Sequence, residues 1–440
     1  MTKKILFFIL IFSALVFSLF SCGDGEDESF TGKVVKLNVY NWGEYISDGF
    51  EGSYDSNAEF EEYFNKNLAK KYGFKIEVNY TTYANNEEMY QKIKSGAGSY
   101  DIIVPSDYMI EKMISEGLVQ KLDKSLLTNF GNISDDFMGN KAVYDPGNEY
   151  SVPYTYGMVG IIVNTELVDE EDYEKKSWDL LWNTKYAGKL LQFNNPRDAF
   201  GTAMYYKNIN VNSTEKSDWD MALEVLMEQR PLIQGYVNDE IFNKMTTASA
   251  VAAPYYAGDF LTMAGLNEDL WFYYPDEGTN YFVDAMCIPS TCDGDNLIAA
   301  HEYINFMLAE EAAVANALYI GYASPNKLVV ESEEYREGMA EVYEDWYEIL
   351  YGKTPNEVNE KYDYEPAYKD FTPEIQGYVN SLWESLKTEN STELWVHIAS
   401  LTIVVAVLAL AVYTTYVKKK RSRDYRMRDK ALASAKKHKP

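Results

Sequence analysis

Within the first hundred or so residues, short apolar runs alternate with amphipathic stretches at a spacing that few architectures accommodate. Val35, Leu37 and Val39 alternate with Lys36, Asn38 and Tyr40, and Ala58 to Tyr72 then has helical periodicity and ends at Gly73. Ile76, Val78 and Tyr80 alternate again, Glu87 to Lys94 reads as a second helix stopped by Gly96, and Asp101 to Val104 is an apolar strand closed by Pro105. A β-α-β-α-β order at this spacing predicts an α/β fold with a parallel-type sheet covered on both faces and right-handed crossovers. Such sheets bind ligands beyond the carboxyl ends of their strands. Two loops are expected there, Asn41 to Tyr45 after the first strand and Pro105 to Tyr108 after the third.

Further along, Ser151 to Asn164 reads as extended chain, Ser177 to Trp182 as the start of a helix and Leu190 to Phe193 as a strand. Asn296 to Leu308 reads as an amphipathic helix with Asp295 as its cap. The length of the middle segment predicts two lobes.

The two ends of the chain differ from the middle. Lys3 and Lys4, an apolar stretch to Phe20, and Ser21 before Cys22 form an export signal, residues 1–22, and Leu19 to Cys22 resembles a lipobox, which would lipidate Cys22; simple cleavage and an uncleaved anchor are the alternatives. Residues 23–33 read as a tether. Residues 394–417 are a 24-residue apolar run; as a helix it would be about 36 Å long, enough for a hydrocarbon core of about 30 Å. The tail, 418–440, carries eleven Lys or Arg against two Asp, so it is expected to be cytoplasmic. The folded segment is then expected on the extracytoplasmic face of the cell membrane, held by a lipid anchor, a single membrane span, or both.

The net charge of −28 becomes more negative still once the basic tail is set apart. A surface this acidic repels nucleic acid and suits a cationic ligand, although solubility alone explains much of it. Cys287 and Cys292 have no metal-site spacing; they form one small loop bridge or stay free. With histidine only at 301, 397 and 438, and no phosphate loop, zinc-protease motif or nucleophile elbow, the chain has little to build an enzyme from. No cofactor is expected. A carboxylate-dependent surface hydrolase is the remaining enzymatic alternative.

Val39 to Tyr45, Tyr100 to Ser106, Lys121 to Asp123 with Leu127 to Asn129, Tyr150 to Tyr154, and Ile320 to Asn326, in that order, resemble the bacterial spermidine/putrescine-binding proteins of ABC importers. The resemblance runs from about Val35 to Asn326 and more weakly to about Lys387. It implies a type II periplasmic-binding-protein fold, with lobe 1 at 34–156 and 284–328, lobe 2 at 157–283 and 329–390, and a hinge that closes them on a polyamine for delivery to the permease. Carried over residue by residue, Trp42, Glu44, Tyr45, Ser106 and Tyr108 match first-lobe contacts. Asn195 and Asp198 fall on second-lobe carboxylate positions. Asp284 matches the acid that takes an end amine, Tyr255 and Phe282 replace tryptophans, and Tyr322 matches a pocket tyrosine. Asn195 stands where the family often has an aspartate, about a dozen residues around Gly49 to Ala58 are extra, and the C-terminal span is not part of the family pattern.

The chemistry of these residues suits such a ligand. Each ammonium–carboxylate hydrogen bond contributes on the order of 1.5–3 kcal/mol, and aromatic faces add roughly 0.5–2 kcal/mol each. Each residue also has a plainer role open to it. Trp42 and Tyr45 could pack on the sheet, Ser106 could cap a helix, Glu44 could be a solvated rim charge, and Asp198 could pair with Arg197. A same-fold receptor for another cationic or small polar solute is the alternative ligand assignment, and a membrane sensor signalling through the span is a further one.

Overall fold

A computed structural model describes residues 32–388 and, beyond them, helical positions 401–407, 409, 413, 414, 416, 417, 419 and 420. The export signal, Cys22 and almost all of the tether lie outside the described residues, as does most of the basic tail. So does a large part of the 394–417 run; Leu401, Ile403, Val404, Val405 and Val407 within it are exposed and helical. Among the described residues no helix is long and apolar enough to cross a membrane.

The strands in chain order are β1 (Lys33–Trp42), β2 (Phe74–Tyr83), β3 (Ile102–Ile103), β4 (Ser151–Asn164), β5 (Leu190–Phe193), β6 (Ile233–Val237), β7 (Ala252–Tyr256), β8 (Leu270–Tyr273) and β9 (Tyr281–Cys287). They fall into two compact units. The first gathers the described residues to Met158, with Ala257–Gly265 and Tyr281–Gly352. The second has Val159–Tyr256, Leu266–Asn280 and the described residues from Lys353. Ala257–Gly265 and the stretch 329–352, assigned to the second lobe on sequence, group here with the first unit, because the helix Ala257–Ala264 packs on the helices Glu333–Val342 and Trp346–Leu350.

In the first unit, β1 pairs in parallel with β2 and β3. The β9 strand then joins antiparallel to β3, and the first half of β4 antiparallel to β9. The sheet is therefore mixed, not of the parallel type expected. Alternation along β1 sorts its residues into two cores. Val35, Leu37 and Val39 pack with Phe60, Phe64, Ile76, Ile102 and Ile304; Tyr40 packs with Tyr83, Met89, Ile103, Ile110 and Ala285. Ile102 and Ile103 thus face opposite sides, as the strand period of two requires.

Helix limits follow local chemistry. Asp55 caps Ser56–Tyr63 by accepting from the Ala58 amide, and the helical run, with a π turn at Phe64–Leu68, ends at Gly73 with φ 82°. The helix Asn86–Ser95 ends at Gly96 with φ 65°, a left-handed conformation that glycine adopts without steric penalty. Asp295, expected as a cap, instead lies in the first turn of the helix Gly294–Met307, whose N-cap is Asp293, and pairs with Lys33.

The second unit is also mixed. Parallel β5 pairs with β6 and β7, while the second half of β4 runs antiparallel to both β7 and β8. At Gly160 in β4 an added Cβ would lie 2.2 Å from Phe272 Cζ and 2.6 Å from the Tyr273 carbonyl oxygen. Backbone cannot step aside as a side-chain tip can. Gly160→Ala is therefore expected to destabilise the protein by about 1–3 kcal/mol, measured as a lower denaturant midpoint; an unchanged midpoint would refute this account of the glycine.

Candidate functional site

The first unit brings together eight of the residues singled out on sequence. Trp42 is the last residue of β1; its Nε1 donates to the Val104 carbonyl at 2.9 Å and its ring lies 4.7 Å from that of Tyr83. The loops after β1 and β3 are thereby tied to each other. Glu44 is exposed and holds φ 51°. Tyr45 is buried, and its phenol donates to Asp284 Oδ2 at 2.7 Å and lies 2.5 Å from Thr155 Oγ1. Burial and the nearby Asp284 charge push the Tyr45 phenol well up. Tyr322 approaches it edge-on at 5.4 Å and donates to Asp259 at 2.8 Å. Phe282 lies 6.2 Å from Tyr322, on the same strand as Asp284.

Ser106 occupies the N-cap position of the helix Asp107–Ser115, but its side chain does not cap. Its hydroxyl accepts from Asn86 Nδ2 at 3.1 Å, and its backbone forms a bridge to Asp284. The same Asn86 amide donates to the Tyr108 hydroxyl at 3.1 Å, which donates in turn to Glu87.

Asp284 differs from the other buried aspartates of this unit. Asp101 accepts from the Asn38 amide and from Asn38 and Asn296 side chains. Asp145 accepts from three successive backbone amides, Glu149, Tyr150 and Ser151, and from the Ser151 hydroxyl. Asp107 accepts from the amides of Tyr108 and Val283. Asp284, 4% exposed, has the Tyr45 phenol on Oδ2, and Oδ1 lacks a well-formed hydrogen bond among the described residues. Burial pushes its carboxyl up to about 6, opposed by the Ser106 hydroxyl and the Tyr45 phenol, which favour the ionised form.

The second unit holds Asn195, Asp198 and Tyr255. Asn195 is the N-cap of the helix Pro196–Tyr206 and Asp198 its third residue. The Asn195 Oδ1 accepts from the Asp198 amide at 2.8 Å, while its Nδ2 donates to Asp198 Oδ2 at 2.8 Å. Tyr256 also donates to Asp198 Oδ2, at 2.7 Å. Burial pushes the Asp198 carboxyl up, against the hydrogen bonds from Tyr256 and Asn195. Arg197 extends to Asn212 and the Lys369 carbonyl and lies 3.6 Å over Phe371. Tyr255 stacks on Phe193 at 5.5 Å.

Sequence reasoning missed Thr155, Asn86, Tyr83, Tyr256 and Asn41. Thr155 lies directly across from Asp284 in the β4–β9 pairing, a relation no local pattern reveals. His301 is structural: Nε2 accepts from the Asp123 amide, and Nδ1 faces the Leu297 carbonyl, each at 2.8 Å. Cys287 and Cys292 are buried free thiols. Among the described residues no group of His, Cys, Asp or Glu is placed to hold a metal ion.

Two α/β units with mixed sheets, with β4 giving its first half to one and its second half to the other, have the architecture of the periplasmic solute-binding class. The chain belongs to the bacterial extracellular solute-binding protein family, whose model matches residues 97–342. It is 33% identical over 291 residues to the spermidine/putrescine-binding periplasmic protein of Escherichia coli, covering 66% of this chain and 77% of that one. The putrescine-binding periplasmic protein PotF of the same organism is 27% identical over 306 residues, 66% of this chain and 78% of PotF. Among solved structures, the spermidine/putrescine ABC transporter substrate-binding protein PotD of Streptococcus pneumoniae superposes with a TM-score of 0.60 at 32% identity, over 80% of this chain and 98% of PotD. The TpPotD lipoprotein of Treponema pallidum shares the fold, with a TM-score of 0.63 at 23% identity over 80% of this chain and 99% of that one.

The Asp284 geometry has a testable cost. Its folded-state carboxyl titrates near 6, above the unfolded value of about 3.9. The folded protein therefore binds this proton more tightly, and through this group ligand-free stability rises as pH falls from 7 towards 4. Asp284→Asn keeps an acceptor for Tyr45 without the charge. It is expected to be more stable than wild type by about 1–3 kcal/mol at pH 7.5, with the gain shrinking towards pH 4. Denaturant melts at both pH values check this, and equal stability at pH 7.5 would contradict the buried charge.

Proposed function

We propose that the protein is the substrate-binding subunit of an ABC importer and that its ligand is a polyamine, spermidine or putrescine. The observation that carries this reading is the open Oδ1 of buried Asp284, the one buried aspartate of its unit that accepts no backbone amide among the described residues. A protonated amine supplies the missing donor and the missing positive charge together. Tyr45, Phe282 and Tyr322, all within one cluster of rings, offer apolar faces to methylene groups. From the first unit the reading also takes Trp42, Glu44, Ser106 and Tyr108, and from the second Asn195, Asp198 and Tyr255. The relatives named for spermidine and putrescine support it. The strand order β2-β1-β3-β9 supports the type II topology within the periplasmic-binding-protein class.

The reading extends to anchoring. The Leu19 to Cys22 motif and the 394–417 run each supply a route to the membrane, with the permease as partner there and the basic tail against anionic lipid on the cytoplasmic side. Cys22→Ser and truncation after residue 390 are each expected to leave the protein in the membrane fraction, and the combination to release it. Release by either change alone would reduce two anchors to one.

Isothermal titration of the purified protein with putrescine, spermidine and spermine tests the ligand. Tight binding by at least one, and a loss of about 2 kcal/mol or more in Asp284→Ala, is the expected result. Folded ligand-free protein that gives no heat with any of the three would overturn the polyamine assignment.

A further inference from the structure

Asn41 is a polar residue in the penultimate position of β1, 3% exposed, and nothing in the ligand chemistry above requires it. Its carboxamide spans the loop that follows. The Oδ1 accepts from the Trp42 amide at 2.8 Å and Nδ2 donates to the Tyr45 carbonyl at 3.2 Å. That carbonyl receives a second hydrogen bond, from the Tyr154 phenol on β4, at 3.0 Å. Between the two fixed points sits Glu44, a non-glycine residue with φ 51°, a conformation that persists where the surroundings over-determine it. The far end of Tyr45 is fixed as well. A phenol has one proton to give; with that proton on Asp284 Oδ2, the contact at 2.5 Å to Thr155 is donated by the threonine hydroxyl. The Tyr45 ring is thus held at its backbone by Asn41 and Tyr154 and at its hydroxyl by Asp284 and Thr155.

We propose that Asn41 is a positioning residue for ligand recognition: by clamping the Trp42 amide to the Tyr45 carbonyl it sets the loop that presents Trp42 and keeps the Tyr45 phenol on Asp284. The ligand half of this statement rests on the polyamine reading, whereas the Tyr45–Asp284 half does not. The titratable groups around Asp284 are Tyr45 from the loop, Tyr83 from β2, and Asp107, which holds the neighbouring Val283 amide. Tyr80 and the Glu44 and Asp48 carboxylates lie near Asn41 itself. The Tyr45 phenol is the one of these that Asn41 controls and that favours the Asp284 anion.

The test compares wild type with Asn41→Ala, Tyr45→Phe and the double variant as full-length protein. Two quantities are read: the Asp284 titration midpoint in ligand-free protein, by carboxyl-carbon NMR, and the affinity for spermidine. Asn41→Ala is expected to raise the midpoint in the same direction as Tyr45→Phe and to weaken spermidine about tenfold. In the Tyr45→Phe background the same change should add less than about threefold, because residues acting through one contact are not additive. Should Asn41→Ala not fold, Asn41→Ser, which retains one hydrogen bond but cannot span the loop, takes its place with the same expected direction. An unchanged Asp284 midpoint, or full additivity with Tyr45→Phe, overturns the proposal. Absence of spermidine binding in wild type would sink the polyamine reading alone, since the ligand-free midpoint still decides the role of Asn41.

Discussion

A carboxylate shut away from water, with no Lys or Arg paired to it among the described residues, is the constraint around which the first unit is arranged. Charge burial is costly unless paired or hydrogen-bonded, and at Asp284 the protein supplies one firm hydrogen bond to Oδ2, leaving Oδ1 open. Its carboxyl is accordingly pushed up to about 6. The unfavourable interaction is retained in the folded state and becomes available to whichever cation enters. A fully satisfied carboxylate of the Asp145 kind has no such reserve, since three backbone amides already hold its charge.

Keeping such a group in place demands rigidity around it, and the topology provides it. The β9 strand lies between β3 and β4, so Asp284 faces Ser106 at the end of β3 on one side and Thr155 on the other. The Tyr45 hydroxyl arrives from the loop after β1, and the Trp42 indole ties that loop to the end of β3. Asn86, the first residue of the helix that follows β2, holds both Ser106 and Tyr108. Three parallel strand ends thus contribute one element each, which is why ligand-type residues recur at the carboxyl ends of strands in this architecture.

Much of this organisation was legible in the sequence because local chemistry dictates it. Gly73 and Gly96 end their helices, Ser151 to Asn164 and Leu190 to Phe193 form strands at the expected limits, and Trp42 and Ser106 lie at the two expected strand ends. The antiparallel insertion of β9 was not legible. Tyr281 to Cys287 carries no signal of which strands it will join, because pairing across more than a hundred residues leaves no local trace. The isolation of Asp284 was equally hidden: Asp101, Asp107 and Asp145 look the same in a sequence, and only the geometry of nearby amides separates them. Asn195 shows the converse. It was marked by its place in a family motif, and the structure adds that it caps a helix, a role its Asn-Pro-Arg-Asp setting already favoured.

The two candidate carboxylates are therefore not equivalent. Asp284 has one well-formed hydrogen bond, from Tyr45, with the Ser106 hydroxyl nearby and Oδ1 open, whereas Asp198 is braced on Oδ2 by Asn195 and Tyr256 within a helix cap. An ammonium meeting Asp284 supplies a partner that the protein withholds; one meeting Asp198 adds to partners already present. The differential between free and bound states is correspondingly larger at Asp284, and only such a differential contributes to affinity. With asparagine at 195, the second unit also carries one formal charge fewer than an aspartate there would give it. Of the two, the carboxylate that the surrounding protein leaves less satisfied is therefore Asp284.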